Sequence, residues 1–401
     1  MKAVYCVMPW IHVHTRPNGD ASPCCVYNMS QPLGNTNTSS IEDIAHSPKF
    51  NNLRRAMINH KPPRACSDCV SKQHSNIEHM SYRHWQNEGF KNIIPELLEN
   101  TNTDGSLKEV FKMRFMNIRY SNLCNMACRT CGSFSSSLWA QELKHDKHVI
   151  NITDTQPNYI EDIYKRLPYV DHINFAGGES LLIHEHWQIL DKLIELGKYD
   201  VKILYVTNLS KLSYQNKNIL DYAVKFPNMV IMGSVDASHQ RAELYRHGTH
   251  WPTIEKNLKT IYNSNVKFRI NCTIGAMNIW HAPDLQKYLL DNNLIKDTQF
   301  FINILTEGQL LSSKVLPTEF KHEVAEKIRL HQEWLDLKGI NSTQWSNVIE
   351  FTLKEDHSYL LKDFIEYNLK LDTTRKQNTI EVFPELEKIF GAPERTRTSN
   401  I

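Results

Sequence analysis

Apolar and polar residues alternate, or apolar residues crowd together, in six short runs through the middle of the chain. They are FKMRFMNIRY (111–120), INFAGGESLL (173–182), KILYVTNLS (202–210), the start of VIMGSVDASHQRAELYRHG (230–248), KFRINCTIGAMN (267–278) and TQFFINIL (298–305). Each run has strand length, and most close on turn residues. Residues 111–306 therefore read as alternating strands and helices, which predicts a parallel sheet. Beyond them, 307–401 follows a helical period. PTEFKHEVAEKIRLHQEWLDLKG is expected to open near Thr318 and stop at Gly339, and HSYLLKDFIEYNLKLDTTR repeats the pattern. This extension carries no motif and is expected to pack. On the amino-terminal side, SPKFNNLRRAMINHK and IIPELLEN read as helices. Residues 1–75 read as a small module, 76–110 as a linker, and GAPERTRTSNI as a loose polar tail.

Cysteine placement changes the picture. Eight of nine cysteines lie in the first 131 residues. Cys124, Cys128 and Cys131 form C-x3-C-x2-C in RYSNLCNMACRTCG, directly after the first predicted strand. Active sites of open α/β sheets and barrels lie at that end of the strands. Iron–sulfur clusters are held by thiolates, and a four-iron cluster ordinarily takes four. Three close cysteines without a fourth leave one iron open, which marks a reactive metal site rather than a structural one. Spacing alone leaves a zinc site or chance open as well. Cys272, in the middle of a predicted strand, reads as an inert core thiol.

Taken in order, the runs resemble the radical S-adenosylmethionine (radical SAM) superfamily. The resemblance rests on the cysteine loop, Gly177-Gly178-Glu179, Thr207-Asn208, and SVDASHQRAELYRHG with Ser234, Asp236 and Arg246. It implies a partial (β/α)6, TIM-like barrel over 111–306. It also implies a four-iron cluster on Cys124, Cys128 and Cys131 whose open iron is chelated by SAM. One electron from the cluster then cleaves SAM to methionine and a 5′-deoxyadenosyl radical, which takes a hydrogen from the substrate. Gly177, Gly178 and Glu179 would hold the SAM amino group; Asn208, Ser234, Asp236 and Arg246 would hold the rest. Three positions depart from the family pattern: Thr130 replaces an aromatic residue near the adenine, Leu209 a common glycine, and Ala237 another glycine.

The amino terminus resembles the auxiliary-cluster modules called SPASM and twitch. It offers C-x-x-P-W at Cys6, a polar turn at Pro17-Asn18-Gly19-Asp20, Cys24 and Cys25, LGN at Leu33–Asn35, a short helix, and CSDC at Cys66–Cys69. The resemblance implies a second four-iron cluster on Cys6, Cys24, Cys66 and Cys69, with Cys25 as the spare or as a substitute for Cys24. A four-cysteine zinc site also describes C-x-x-C beside a hairpin. Five cysteines fit the shorter, one-cluster twitch form. Such modules usually follow the barrel, whereas here the module comes first.

Composition adds limits. The chain has 401 residues, 41% hydrophobic and 22% charged, as globular proteins do. A net charge of +2 gives no argument for nucleic acid. No apolar run is long enough to span a membrane. The start lacks a signal peptide's apolar core. Cluster thiols need a reducing compartment, so a cytoplasmic location is expected. His12 and His14 could be ligands, but alternation in a strand explains them better. The resemblance implies a peptide or protein substrate and a reductant such as flavodoxin or ferredoxin. Two alternatives stand beside it: radical chemistry on a small molecule, sugar or nucleotide, and a non-catalytic iron–sulfur or zinc protein. No general acid or base can be named.

Overall fold

The computed structural model describes residues 5–28, 30–74, 81–306 and 308–391. The first four residues, part of the expected linker, and the tail after Gly391 lie outside the described residues. In chain order the strands are β1 (His14–Thr15), β2 (Asp20–Ser22), β3 (Gly34–Asn35), β4 (Phe115–Met116), β5 (Ala127–Cys128), β6 (His172–Phe175) and β7 (Lys202–Thr207). They continue with β8 (Ser213–Tyr214), β9 (Lys217–Asn218), β10 (Met229–Ser234), β11 (Arg246–His247), β12 (Lys267–Ile274) and β13 (Phe300–Ile304). Six of them form one sheet in the order β13-β12-β10-β7-β6-β4. The order follows the chain from one edge to the other, with helices between. That is the winding of a partial (β/α)6, TIM-like sheet.

The chain divides into two compact units. The first comprises 1–125, 133–206 and 221–230; the second comprises 126–132, 207–220 and 231–401.

In the first unit, β1 and β2 make an antiparallel hairpin, and β3 adds to β2. The hairpin turns at Gly19, whose φ of +84° is the left-handed region open to glycine. Ser40 caps the helix Ile41–Ala45 with a full capping box, and Ser47 caps Pro48–Ile58. Arg54 is fully buried and ties that second helix down: its guanidinium donates to the carbonyls of Ala45, Pro9 and Gly105. Strand β4 is far shorter than 111–120 predicts. It pairs with β6 only at Phe115↔His172 and Met116↔Ile173. Past Met116 the chain leaves β6 and turns to β1, where Ile118 bridges Thr15 and the Arg119 N–H donates to the Thr15 carbonyl. Strands β6 and β7 run parallel from His172↔Lys202 to Phe175↔Tyr205. The helix His184–Glu195 buries His186, Trp187, Ile189, Leu190 and Leu193. His12 and His14 are both buried, but only His14 is in a strand; His12 closes the helix Met8–Ile11.

In the second unit, β12 and β13 run parallel from Ile270↔Phe300 to Ile274↔Ile304. Cys272 is fully buried in β12, and burial pushes its thiol pKa well up. The extension is helical, at Thr318–Leu337, Thr343–Lys354, Leu361–Arg375 and Thr379–Val382. Gly339, with φ of +72°, follows the first of these. Gln344 covers the free edge of β13, accepting from the Ile302 N–H (2.9 Å) and donating to the Phe300 carbonyl (3.2 Å). Among the described residues no helix is long and apolar enough to cross a membrane.

Candidate functional site

The amino-terminal cysteines come from four separate elements. Cys6 precedes the helix Met8–Ile11, Cys24 follows β2, Cys66 ends a 3-10 turn, and Cys69 lies in the helix Ser67–His74. Cys6, Cys24 and Cys66 sit in an apolar shell with Val7, Trp10, Tyr27, Leu53, Met57 and Phe115. Burial pushes the Cys6 thiol up to about 12, and nearby Cys66 and Cys69 add to the rise. Cys24 is driven well up by burial and by Cys25, Cys6, Cys66 and Cys69. Cys66 is pushed up to about 12, by burial and then by Cys69. The fold thus brings Cys6, Cys24, Cys66 and Cys69 within electrostatic reach of one another. Cys25 stands near the buried Tyr82 hydroxyl.

Arg83 is the feature that sequence reasoning missed here. It is 6% exposed, donates to the Cys69 carbonyl at 3.1 Å, and its charge pulls the Cys6 and Cys66 pKa values down. A buried cation near Cys6 and Cys66 lowers the cost of collecting thiolates in an apolar shell. Among the described residues no group of His, Cys, Asp and Glu is placed to hold a single metal ion. A four-iron cluster instead sets each thiolate on a different iron. The donor set of four gathered thiols with a buried guanidinium fits that group.

The second cysteine group begins in the first unit. The Cys124 N–H donates to Ser137 Oγ and its carbonyl accepts from the same hydroxyl, both at 3.1 Å. Asn122, fully buried, braces the chain just before it by donating to the Ser133 and His148 carbonyls and accepting from the Ile150 N–H. Gly177 and Gly178 lie against this same stretch. The Gly178 N–H donates to the Ser121 carbonyl (3.1 Å), and the Glu179 N–H to the Leu123 carbonyl (2.7 Å). A Cβ on Gly178 would stand 2.1 Å from the Leu123 carbonyl oxygen. Gly177 has φ of +146°, which also disfavours a side chain. Close backbone approach is what these glycines serve, and the partner that requires it is the chain leading into Cys124. Glu179 is buried at 2% exposure, and its carboxylate accepts from the Leu181 N–H.

In the second unit, Cys128 lies in β5, which pairs antiparallel with β11 so that Cys128 faces Arg246. Burial pushes the Cys128 thiol up to about 11, while the Arg246 charge pulls it down. Arg246 donates to Asp236 Oδ2 at 2.7 Å, and Asp236 Oδ1 accepts from the Thr273 N–H at 2.7 Å. Asn278 donates to the Asp236 carbonyl, which ties this loop to the end of β12. Cys128, Asp236 and Arg246 are therefore brought together. Cys131 closes a turn on Cys128, donating to its carbonyl at 3.0 Å. Asn208 accepts from the Ser210 N–H in a local turn, and half-buried Ser234 ends β10. Leu209 keeps the left-handed conformation of a glycine, φ 61°, and is fully buried. Gly233 makes room for it: a Cβ there would lie 2.5 Å from Leu209 Cδ1.

Residues 6–70 match the model of SPASM, an iron-sulfur cluster-binding domain. Comparison with curated proteins finds no match. Among solved structures, native anSMEcpe with bound AdoMet aligns at 18% identity and TM-score 0.42, over 57% of this chain and 63% of that one. Streptococcus suis SuiB bound to S-adenosylmethionine aligns at 12% identity and TM-score 0.38, over 73% of this chain and 64% of that one. TYW1 with a lysine-pyruvate adduct bound aligns at 14% identity and TM-score 0.30, over 55% and 70%. The chain spans less than two thirds of the length of the first two. Over residues 6–70 the chain is thus similar to the SPASM iron–sulfur cluster-binding domains.

Proposed function

We propose that the chain is a radical SAM enzyme acting on a peptide or protein, with an auxiliary cluster in its SPASM segment. In this reading Cys124, Cys128 and Cys131 hold the catalytic cluster, and Cys6, Cys24, Cys66 and Cys69 hold the second. The functional parts are 1–75, the linker 76–110, the core 111–306 and the helical extension 307–401. The observation that carries the reading is the seating of Gly178 and Glu179 on Ser121 and Leu123, one residue before Cys124. It couples the first cysteine to the strand end that bears Glu179.

The chemistry supplied by bound cluster and SAM is one-electron cleavage of SAM, which yields a carbon radical that takes hydrogen from substrate. The chain's own residues bind, orient and exclude water. Cys124, Cys128 and Cys131 would supply the three thiolates that hold the cluster. Glu179 accepts hydrogen bonds from the SAM ammonium group. Arg246, oriented by its pair with Asp236, would answer the SAM carboxylate, and Asn208 and Ser234 would contact the rest of SAM. Cys6, Cys24, Cys66 and Cys69 would hold an auxiliary cluster suited to accept an electron, bind substrate or brace the fold. A small flavodoxin- or ferredoxin-type protein supplies the electron. The substrate class follows from the auxiliary module and the motifs, whose family relatives work mostly on peptides.

The test is anaerobic reconstitution with iron and sulfide, then SAM and dithionite. Release of methionine and 5′-deoxyadenosine is expected, and Glu179→Ala should suppress it. No release from a protein carrying both clusters would overturn the reading.

A further inference from the structure

Between Cys128 and Cys131 the cysteine loop holds Arg129, 1% exposed. Sequence reading gives it no role, yet its polar atoms are bonded at every position. Its N–H donates to the Tyr245 carbonyl at 2.9 Å, just before β11. Its own carbonyl accepts from the Tyr367 hydroxyl at 2.6 Å. The Nε donates to the Leu244 carbonyl, and Nη1 to Asn368 Oδ1 and Thr379 Oγ1, both at 3.0 Å. The Nη2 donates to Gln377 Oε1 at 3.2 Å and pairs with Asp372. Asp372 is itself held, accepting from the Thr379 N–H at 2.7 Å and the Thr379 hydroxyl at 3.0 Å. Most of these partners belong to the helices Leu361–Arg375 and Thr379–Val382, more than two hundred residues along the chain from Arg129.

A buried ion pair is weak evidence for stability, since desolvation offsets most of its attraction. What it gives is geometry. A planar guanidinium with all three nitrogens bonded has one position and one orientation. Here that orientation belongs to the residue next to Cys128 and two before Cys131. The Tyr367 hydroxyl fixes the main chain of the same residue directly. We propose that the carboxy-terminal helices clamp the cysteine loop, and that Asp372 and Tyr367 are positioning residues that hold Cys128 and Cys131 in a cluster-ready conformation. This rests on the reading of that loop as a cluster site. It gives the helical extension a role in the chemistry.

The experiment uses the full chain with Asp372→Asn, Tyr367→Phe and Arg129→Lys. Glu355→Gln is the control. It removes the partner of buried Lys314 elsewhere in the extension and touches no part of the loop. Two readouts are taken after circular dichroism confirms folding. In the iron-free protein, alkylation of each cysteine is timed by mass spectrometry. In the reconstituted protein, iron loss to a chelator and the electron paramagnetic resonance signal of the loop cluster are followed. The clamp predicts faster alkylation of Cys128 in all three variants. It also predicts iron loss from the loop on the order of 10-fold faster, as for other groups that orient metal ligands. The amino-terminal cluster and the control should not change. Tyr367→Phe, which deletes one hydroxyl, serves if Asp372→Asn does not fold. Alkylation and iron loss matching the control would overturn the clamp. A wild-type loop that takes up no iron overturns the cluster reading, and the alkylation result still decides whether the clamp exists.

Discussion

The two cysteine groups are built in opposite ways. The amino-terminal four come from positions 6, 24, 66 and 69; Cys6, Cys24 and Cys66 sit in an apolar shell, and buried Arg83 donates to the Cys69 carbonyl. The three at 124, 128 and 131 lie within one short loop and are held by hydrogen bonds to its backbone. Ser137 bonds Cys124 itself, the Gly178 and Glu179 N–H groups hold the Ser121 and Leu123 carbonyls just before it, and β11 pairs at Cys128. A full donor set needs its ligands brought together and kept dry, so packing suffices. A set that leaves one metal position open must fix its backbone, because no fourth ligand completes the geometry.

Removing thiols breaks the comparison most sharply. Cys124, Cys128 and Cys131 changed together to Ala should remove about four irons and leave the other cluster in place. Cys66 and Cys69 changed to Ala should remove the other set, with iron and sulfide assay as the measurement. Zinc at Cys66 and Cys69 would refute the cluster there.

Gly178→Ala comes next. Its Cβ would press on the Leu123 carbonyl at 2.1 Å, so backbone must move. We expect about 1–3 kcal/mol lost in thermal or urea unfolding, as for overpacking. Loop-cluster iron should fall, while SPASM-cluster iron stays. Gly197 is a fair contrast, since its own left-handed φ of +68° meets no neighbour. Substitution there should cost stability without touching either cluster.

Arg83→Met sharpens the contrast from the other side. Taking a positive charge away from Cys6 and Cys66 disfavours the added electron. The potential of the amino-terminal cluster should fall in a redox titration, and that of the loop cluster should hold.

The smallest effect is on pH. His14 and His186 are buried and held neutral, each with its pKa lowered to about 3, mainly by burial. In the unfolded chain they titrate near 6.5. The unfolded state therefore binds more protons between these values. Stability is full above about 6.5 and is lost as pH falls toward about 3, by up to about 1.4 kcal/mol per pH unit for each histidine. Urea unfolding at pH 7 and pH 5 measures it, and His186→Phe should flatten the slope.

Much of this was legible in the chain. The six runs became the six sheet strands, because alternation such as that of Lys267–Ile274 records one buried face directly. The helix Pro48–Ile58 was likewise legible in SPKFNNLRRAMINHK. What stayed hidden were long-range polar contacts. Arg54, Arg83, Arg129 and Asn122 carry no signal in the sequence, yet each is buried on carbonyls or side chains distant in sequence. The glycines of 177–178 were legible as a close approach, but the surface they approach was set by the fold. Strand 111–120 was overread because its last residues pair with β1 instead of β6.

The most direct test is low-temperature electron paramagnetic resonance of the reduced, reconstituted protein with and without SAM. Two cluster signals are predicted, of which SAM shifts one, and the shifted signal should vanish when Cys124, Cys128 and Cys131 are replaced. Signals indifferent to SAM, or a shift that survives those replacements, would contradict the assignment of an open iron to this loop.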